Sequence, residues 1–274
     1  MTYWYLTGLL AALGFSFGFY LVKPAGGAAN HDRDFLEAFN WMDGKWYKQI
    51  ATAGYDYDPD ARSNVAFFPV YPLLARGLIA ATGIRAEVAL LIVSNVSLLA
   101  ALAMLMLYVR ARWPDAPSDL AECIVLAAAL FPTGCFFRLA YSESTCLLLT
   151  VLAMYAMLRR WPLWSIALSV GLATAARPVG VALLAPFAIH IFRRGCHRHQ
   201  SEAPARSGCP SAATEIGATE QPERSGDATA ARKTPGARGP RWRFGFACVR
   251  LALYLPLACW GLINFMAYQH HAFN

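Results

Sequence analysis

The sequence predicts an all-α, polytopic transmembrane protein, and three observations carry that prediction. Hydrophobic residues make up 57% of the chain and charged residues only 15%, too few polar side chains to cover a soluble globule of 274 residues. The apolar residues gather into long runs, several of near-spanning length. Arg pairs close three of those runs, as basic residues do where a span ends in the cytoplasm. A net charge of +7 raises nucleic acid as a partner, but the cations lie between apolar runs, without interleaved stacking aromatics, and exclude it. Of the seven cysteines, Cys123, Cys135, Cys146, Cys248 and Cys259 lie inside apolar runs, where a thiol simply packs, so no disulfide framework is expected.

A bilayer core of about 30 Å takes roughly 20 apolar residues per helix. Residues 3–22 meet that requirement without a charge. With neither a basic leader nor a small-residue cleavage signal, this run is expected to remain as a signal anchor. Runs at 88–109, 120–137, 142–158, 163–176, 179–192 and 246–268 follow, several of them short, for about seven spans in all. Arg110 with Arg112, Arg159 with Arg160, and Arg193 with Arg194 mark inside turns. Counting outward from an inside N-terminus puts 24–67 outside and runs 88–109 inward. The segment 68–83 is then not a full span. Its Pro69, Pro72 and Arg76 agree, because broken apolar backbone is tolerated at membrane depth only against protein or a cavity, and it reads as re-entrant or interfacial. The same parity puts 138–142 and the Arg177-Pro178 junction outside.

The organisation expected is a core at 1–193 that includes the outer loop 24–67, a low-complexity loop at 194–241, and a last transmembrane helix at 242–274. The loop is rich in Ala, Gly, Pro, Ser, Thr and charge, lacks apolar periodicity, and is expected to be cytoplasmic and disordered. Cys196 and Cys209, with His197 and His199 between them, match no zinc spacing, and no metal is assigned there. Asn95-Val96-Ser97 matches a glycosylation acceptor only formally, since it falls within an apolar run.

Polar and aromatic residues on the outer side concentrate in two places. In the first, Phe35, Phe39, Met42, Trp46 and Ile50 recur at spacings of three and four, which predicts an amphipathic helix over 35–50 lying on the membrane surface. Trp41, Trp46 and Tyr47 suit that interface. Asp43 falls on the row of Leu36, Phe39, Trp46, Tyr47 and Ile50, so its carboxylate is expected against apolar surroundings, where it becomes a stronger proton acceptor. A helix-terminating Asp before Gly44 explains it equally well. After this helix, Tyr55 to Asp60 supply aromatic faces and short acids of the kind that bind sugar rings, with Arg62 close behind, although loop acids are more often merely solvated.

The second place is Phe131-Pro132-Thr133 with Phe136 to Ser144. Ser142 and Glu143 suit the cap and first turn of a helix. Charges at membrane depth are expensive, which makes Arg138, Glu143 and Arg177 functional candidates, with Tyr141 between them. Arg177 stands before Pro178 at a helix start, and its planar fork suits phosphate.

These motifs, taken together, resemble the PIG-V-like mannosyltransferases of the GT-C class. Met42-Asp43-Gly44-Lys45-Trp46-Tyr47, Ile50-Ala51, Gly54-Tyr55 and the run from Asn64 to Leu73 resemble the family's first outer loop. Phe131-Pro132-Thr133, Ala140 to Ser144 and Ala173 to Gly180 are similar to its later signatures. The resemblance covers about 39–186 and implies a GT-C-like fold, a polyprenyl-phosphate-mannose donor, an unidentified hydroxyl acceptor outside, and Asp43 as the catalytic residue. Trp46, Tyr47, Tyr55, Arg62, Arg138, Tyr141, Glu143 and Arg177 are then the expected substrate-binding residues. This sequence departs from the pattern at Met42, where the family commonly has Trp, and family members usually continue past a last span such as 246–268, so the chain reads as C-terminally short. Asp56-Tyr57-Asp58 resembles a metal–nucleotide clamp, but nucleotide sugars are cytoplasmic and this loop reads as outer. No cofactor is expected, and a divalent metal is not favoured. The expected partners are membrane lipids, the lipid-phosphate sugar and the acceptor; the expected location is the inner (plasma) membrane, with the site on its outer face. A transporter or lipid flippase is the alternative, weakened by the lack of a repeat, and a non-catalytic membrane assembly subunit is the third reading.

Overall fold

The computed structural model describes residues 5, 8, 9, 12, 13, 36, 39–60, 62–197 and 240–273. Every regular element among them is helical. In order these are α1 (Asp43–Thr52), α2 (Val70–Thr82), α3 (Ala86–Arg112), α4 (Leu120–Leu130), α5 (Glu143–Leu158), α6 (Leu163–Ala176), α7 (Leu184–His197) and α8 (Pro240–Phe273), with 3-10 helices at Pro132–Phe137 and Pro178–Leu183. Most of the expected first span at 3–22 and most of the loop at 194–241, His199 and Cys209 included, lie outside the described residues.

Two helices are long and apolar enough to cross a membrane: α3 and the Ala247–Phe273 part of α8, of 27 residues each. At about 1.5 Å per residue either reaches about 40 Å. The expected boundaries of 88–109 and 246–268 are exceeded at both ends, because α3 carries Glu87 in its first turn and Arg110 and Arg112 in its last, each favourable to the helix dipole. α7 likewise continues to His197, past the boundary expected at 193. α4, α5 and α6 are shorter apolar helices. Proline sets their ends: α4 stops before Phe131-Pro132, α6 starts after Pro162 and stops before Arg177-Pro178, and each of the two following prolines opens a 3-10 helix.

α2 is the segment expected at 68–83. Its 13 residues reach only about 20 Å, and Gly83 ends it in the left-handed conformation, φ 70°. Tyr71 in its first turn donates to the Leu90 carbonyl at 3.0 Å and meets Ser94 Oγ at 2.8 Å. The loop after α1 therefore dips about two turns down α3, and α2 climbs back beside it.

The expected helix over 35–50 is not continuous. Residues 36 and 39 are helical, but a turn at 40–42 interrupts the path, and Met42 takes φ 51°, a conformation that a side chain with a Cβ rarely adopts. α1 starts only at Asp43. Its buried face is Gly44, Tyr47, Ile50 and Ala51.

Helix directions sort the charges. Ser94 Oγ of α3 donates to the Tyr141 carbonyl just before α5, and Ser97 Oγ lies 3.3 Å from Thr145 Oγ1, so α3 and α5 run parallel. α6 returns antiparallel to α5, and α7 comes back beside the α5–α6 turn, where Arg194 Nη1 donates to the Trp161 carbonyl at 2.6 Å. Arg110, Arg112, Arg159, Arg160, Arg193 and Arg194 consequently share one end of the bundle. The start of α5, the end of α6 and α1 share the other.

Small residues let α6 and α8 approach. A Cβ added at Gly171 would come within 2.7 Å of the Leu257 carbonyl and run into the Trp260 indole, and one at Gly261 would collide with Ala175. Close backbone packing through Gly and Ala is the usual way apolar helices associate where water supplies no driving force. Ile166, Val170, Phe187 and Ile191 fill the core around this crossing.

Candidate functional site

At the end opposite the Arg clusters, side chains from α1, the turn before α5, and the α6 terminus converge. Pro178 restricts the residue before it, and Arg177 is accordingly extended, φ −159° and ψ 154°, so its side chain leaves the path of α6. There Nη1 reaches Glu143 Oε1 at 2.5 Å and donates to Ser142 Oγ at 3.4 Å. Ser142 is fully buried, and its Oγ also lies 2.7 Å from the hydroxyl of Tyr47, a residue only 5% exposed. Tyr47, Ser142, Arg177 and Glu143 thus form one connected chain of polar groups.

The neighbouring turn holds α1 in register. The Tyr141 hydroxyl donates to the Trp41 carbonyl at 3.0 Å, and the Ala140 amide donates to the Phe39 carbonyl at 3.2 Å. The two segments pack closely at Gly44, where an added Cβ would stand in van der Waals contact with Ala140 Cβ at 3.4 Å. Asp43 stands one helical turn before Tyr47, at the rim of the cluster. Its charge acts on both Tyr47 and Tyr141.

Electrostatics follow from burial first. Desolvation pushes the Tyr47 hydroxyl up to about 12, with the Ser142 hydrogen bond and Arg177 opposing the shift. Burial works against the charge on Arg177, but Glu143, as a neighbouring carboxylate and a hydrogen-bond acceptor, outweighs it and leaves the guanidinium above its ordinary value. Arg177 therefore stays cationic. Only its Nη1 is engaged by described residues, so Nε and Nη2 keep an edge suited to paired bonds to an oxyanion. Glu143 Oε2 is buried and has no hydrogen-bond partner among the described residues, an acceptor that the fold leaves unused.

Of the residues singled out in the sequence, Asp43, Tyr47, Tyr141, Glu143 and Arg177 come together here. Asp43 differs from expectation in its surroundings. It is exposed, because α1 begins at Asp43 and its buried face starts with Gly44, so no apolar wall encloses the carboxylate. Four others are placed elsewhere. Trp46 stacks on Phe67, with ring centroids 6.2 Å apart, and makes none of the cluster's hydrogen bonds. Tyr55 donates to the Phe67 carbonyl at 2.7 Å and packs against Phe265 and Tyr268, which makes it an anchor for α8. Arg62 is exposed on the loop before α2 and makes none of the cluster's contacts. Arg138 is buried, donates to Asn95 Oδ1 at 3.0 Å and packs under Gly8, where a Cβ would stand 3.1 Å from Nη1. Its guanidinium braces α3 instead of joining Arg177. Asn95 is occupied in turn, its Nδ2 donating to the Leu91 and Arg138 carbonyls. The acids after Tyr55 form local turns: Asp58 accepts the Asp60 amide, and Asn64 accepts that of Asp56.

Ser142 is the residue that sequence reasoning undervalued. It reads as a helix cap, yet its side chain caps nothing and serves as the hub of the cluster. The buried Glu87, Ser94 and Ser97 along one face of the mostly apolar α3 are the signal that could have pointed to this side of the bundle. Glu87 holds Lys48 of α1 at 2.6 Å and fixes that helix above the site. Among the described residues, no three His, Cys, Asp or Glu side chains are grouped as metal ligands. No protein-family model, curated protein or solved structure matches the chain.

Proposed function

We propose that this chain is a polytopic membrane glycosyltransferase of the PIG-V-like, GT-C kind that it resembles, moving a mannosyl or related hexosyl residue from a polyprenyl-phosphate carrier to a hydroxyl acceptor. The observation that carries this reading is the cluster itself: an anion-binding Arg177 held by Glu143 and Ser142, with the carboxylate of Asp43 at its rim. In this reading the short helices complete about seven spans, with the 3-10 helices at Pro132–Phe137 and Pro178–Leu183 extending α4 and α7. The Arg-rich end faces the cytoplasm of a plasma-membrane protein, and the cluster opens outward.

The chemistry is a single displacement. An acceptor hydroxyl attacks the anomeric carbon while Asp43 takes its proton, and the bond from that carbon to the phosphate oxygen breaks with its electron pair leaving on the lipid phosphate. The sugar's configuration inverts. The Nε and Nη2 edge of Arg177 receives the departing phosphate, whose charge grows in the transition state. Glu143 keeps Nη1 occupied and so fixes the guanidinium plane, and its free Oε2 accepts a sugar hydroxyl. Exposure of Asp43 suits a base that must meet an incoming acceptor.

The test compares Asp43→Asn with Glu143→Gln in inserted, folded protein. Turnover is expected to collapse in Asp43→Asn, by roughly a hundred- to ten-thousand-fold for a positioned base, while donor binding survives. Near-normal turnover in Asp43→Asn together with abolition in Glu143→Gln would exchange the two assignments.

A further inference from the structure

Two faces divide the 3-10 helix at Pro178–Leu183. Residues three apart lie over one another in such a helix, and here Gly180 and Leu183 are buried while Val179 and Val181 are exposed. Gly180 does not use glycine's freedom of backbone, since its φ is not in the left-handed region that Gly54 and Gly83 adopt. What its packing requires is the missing side chain. A Cβ at 180 would stand 2.1 Å from the Ala173 carbonyl oxygen, 2.4 Å from the carbonyl carbon and 2.7 Å from the Thr174 amide nitrogen. These are backbone atoms near the end of α6, at two residues with no exposure, so no side chain can swing aside to make room. The same corner carries Arg177, whose amide donates to the Ala173 carbonyl at 3.3 Å and whose carbonyl accepts from the Gly180 amide at 3.0 Å. Bringing an added methyl out to an ordinary contact of about 3.5 Å would lift the 3-10 helix from α6 by about 1 Å or more. Arg177 Nη1 meets Ser142 Oγ at 3.4 Å, near the outer limit of a hydrogen bond, and has no slack for such a shift, whereas its 2.5 Å pair with Glu143 has.

We propose that Gly180 is a positioning residue for Arg177. Seated without a side chain on Ala173 and Thr174, it sets where the Arg177 backbone leaves α6, and so lets one guanidinium nitrogen reach Glu143 and Ser142 together while the Nε and Nη2 edge stays open to an oxyanion. A misplacement of about 1 Å in a group that orients a reactant is enough to cost about a hundredfold. The inference rests on the glycosyl-transfer reading only in taking that oxyanion to be the donor phosphate; the seat itself does not depend on it.

Two measurements on the full chain in mixed micelles test it: a titration with farnesyl phosphate, a short polyprenyl phosphate, and the side-chain Nε–H NMR signals of labelled arginines, with that of Arg177 identified by its loss in Arg177→Lys. Gly180→Ala is expected to shift the Arg177 signal and to weaken farnesyl phosphate binding by about tenfold, and by no more than Arg177→Ala does. In the Arg177→Ala background it is expected to cost no further affinity, because it acts through that side chain. Gly171→Ala crowds α6 comparably, against Trp260 and Leu257, but more than a turn before Arg177. It is expected to lower stability while leaving the Arg177 signal and the affinity unchanged. An unmoved Arg177 signal in Gly180→Ala, a loss of affinity that persists in the Arg177→Ala background, or an equal shift of the signal in Gly171→Ala would each overturn the proposal. So would a Gly180→Ala protein that no longer unfolds cooperatively, since the glycine would then serve the fold as a whole and not Arg177. Wild-type protein that does not bind farnesyl phosphate would refute the donor reading alone, because the Arg177 signal still decides the role of Gly180.

Discussion

Replacing Ser142 by Ala and Tyr47 by Phe, singly and together, probes the hub of the cluster. The two hydroxyls share one buried hydrogen bond of 2.7 Å, but their fallback partners differ. Tyr47→Phe leaves Ser142 Oγ still accepting from Arg177 Nη1, so only a typical net hydrogen bond is lost, about 0.5–1.5 kcal/mol. Ser142→Ala instead strands the Tyr47 hydroxyl in a site that is 5% exposed and deprives Arg177 of an acceptor, which costs about 1–3 kcal/mol. In the Tyr47→Phe background there is no hydroxyl left to strand, so Ser142→Ala costs less and the cycle closes with a coupling of about 1 kcal/mol. The assay is reversible unfolding in mixed micelles, followed by tryptophan fluorescence. Two results refute the reasoning: Tyr47→Phe destabilising as much as Ser142→Ala, or two effects that simply add.

Arg177→Ala is expected to weaken donor binding about tenfold or more, and Arg177→Lys to restore little of it, because a point charge lacks the paired fork; unchanged affinity in a binding titration returns Arg177 to a structural role. Gly171→Leu is expected to separate α6 from α8 and destabilise by at least about 1–3 kcal/mol, whereas Gly77→Ala in α2, with open space around its Cβ, is expected to be neutral or stabilising by up to about 1 kcal/mol; comparable losses in micelle unfolding would contradict the packing described. Tyr47 also predicts a pH dependence. Its hydroxyl is held at about 12 when folded, against about 10 for a solvated tyrosine, so above pH 10 the unfolded chain loses the proton first and stability falls as pH rises toward 12. Tyr47→Phe is expected to flatten that part of the profile, and an unchanged slope would show that Tyr47 does not contribute.

The sequence made the apolar helices legible because their runs are long and their ends carry prolines or Arg pairs, as at Phe131-Pro132 and Arg159-Arg160. The short α2 was legible for the same reason, through Pro69 and Pro72. What periodicity missed was local backbone. Nothing in a three-four spacing reveals the turn at 40–42, and that turn moves Asp43 from an enclosed row to an exposed first position. Pairings over long separations were hidden as well: Tyr47 and Ser142 are 95 positions apart, and a lone serine before a helix always has a capping explanation at hand. Arg138 and Arg177 look alike as cations at helix junctions, and only packing distinguishes them. Asn95 and Gly8 take one; Glu143 and Ser142 hold the other with an edge open.

The most direct measurement gives the purified protein, reconstituted in liposomes, a polyprenyl-phosphate donor labelled in its mannose, with the cell-envelope glycolipid fraction as acceptor. Release of polyprenyl phosphate with label appearing in acceptor, abolished by Asp43→Asn, is the predicted result. Donor left intact by the wild-type protein, or carried across the bilayer with its sugar still attached, would contradict the account.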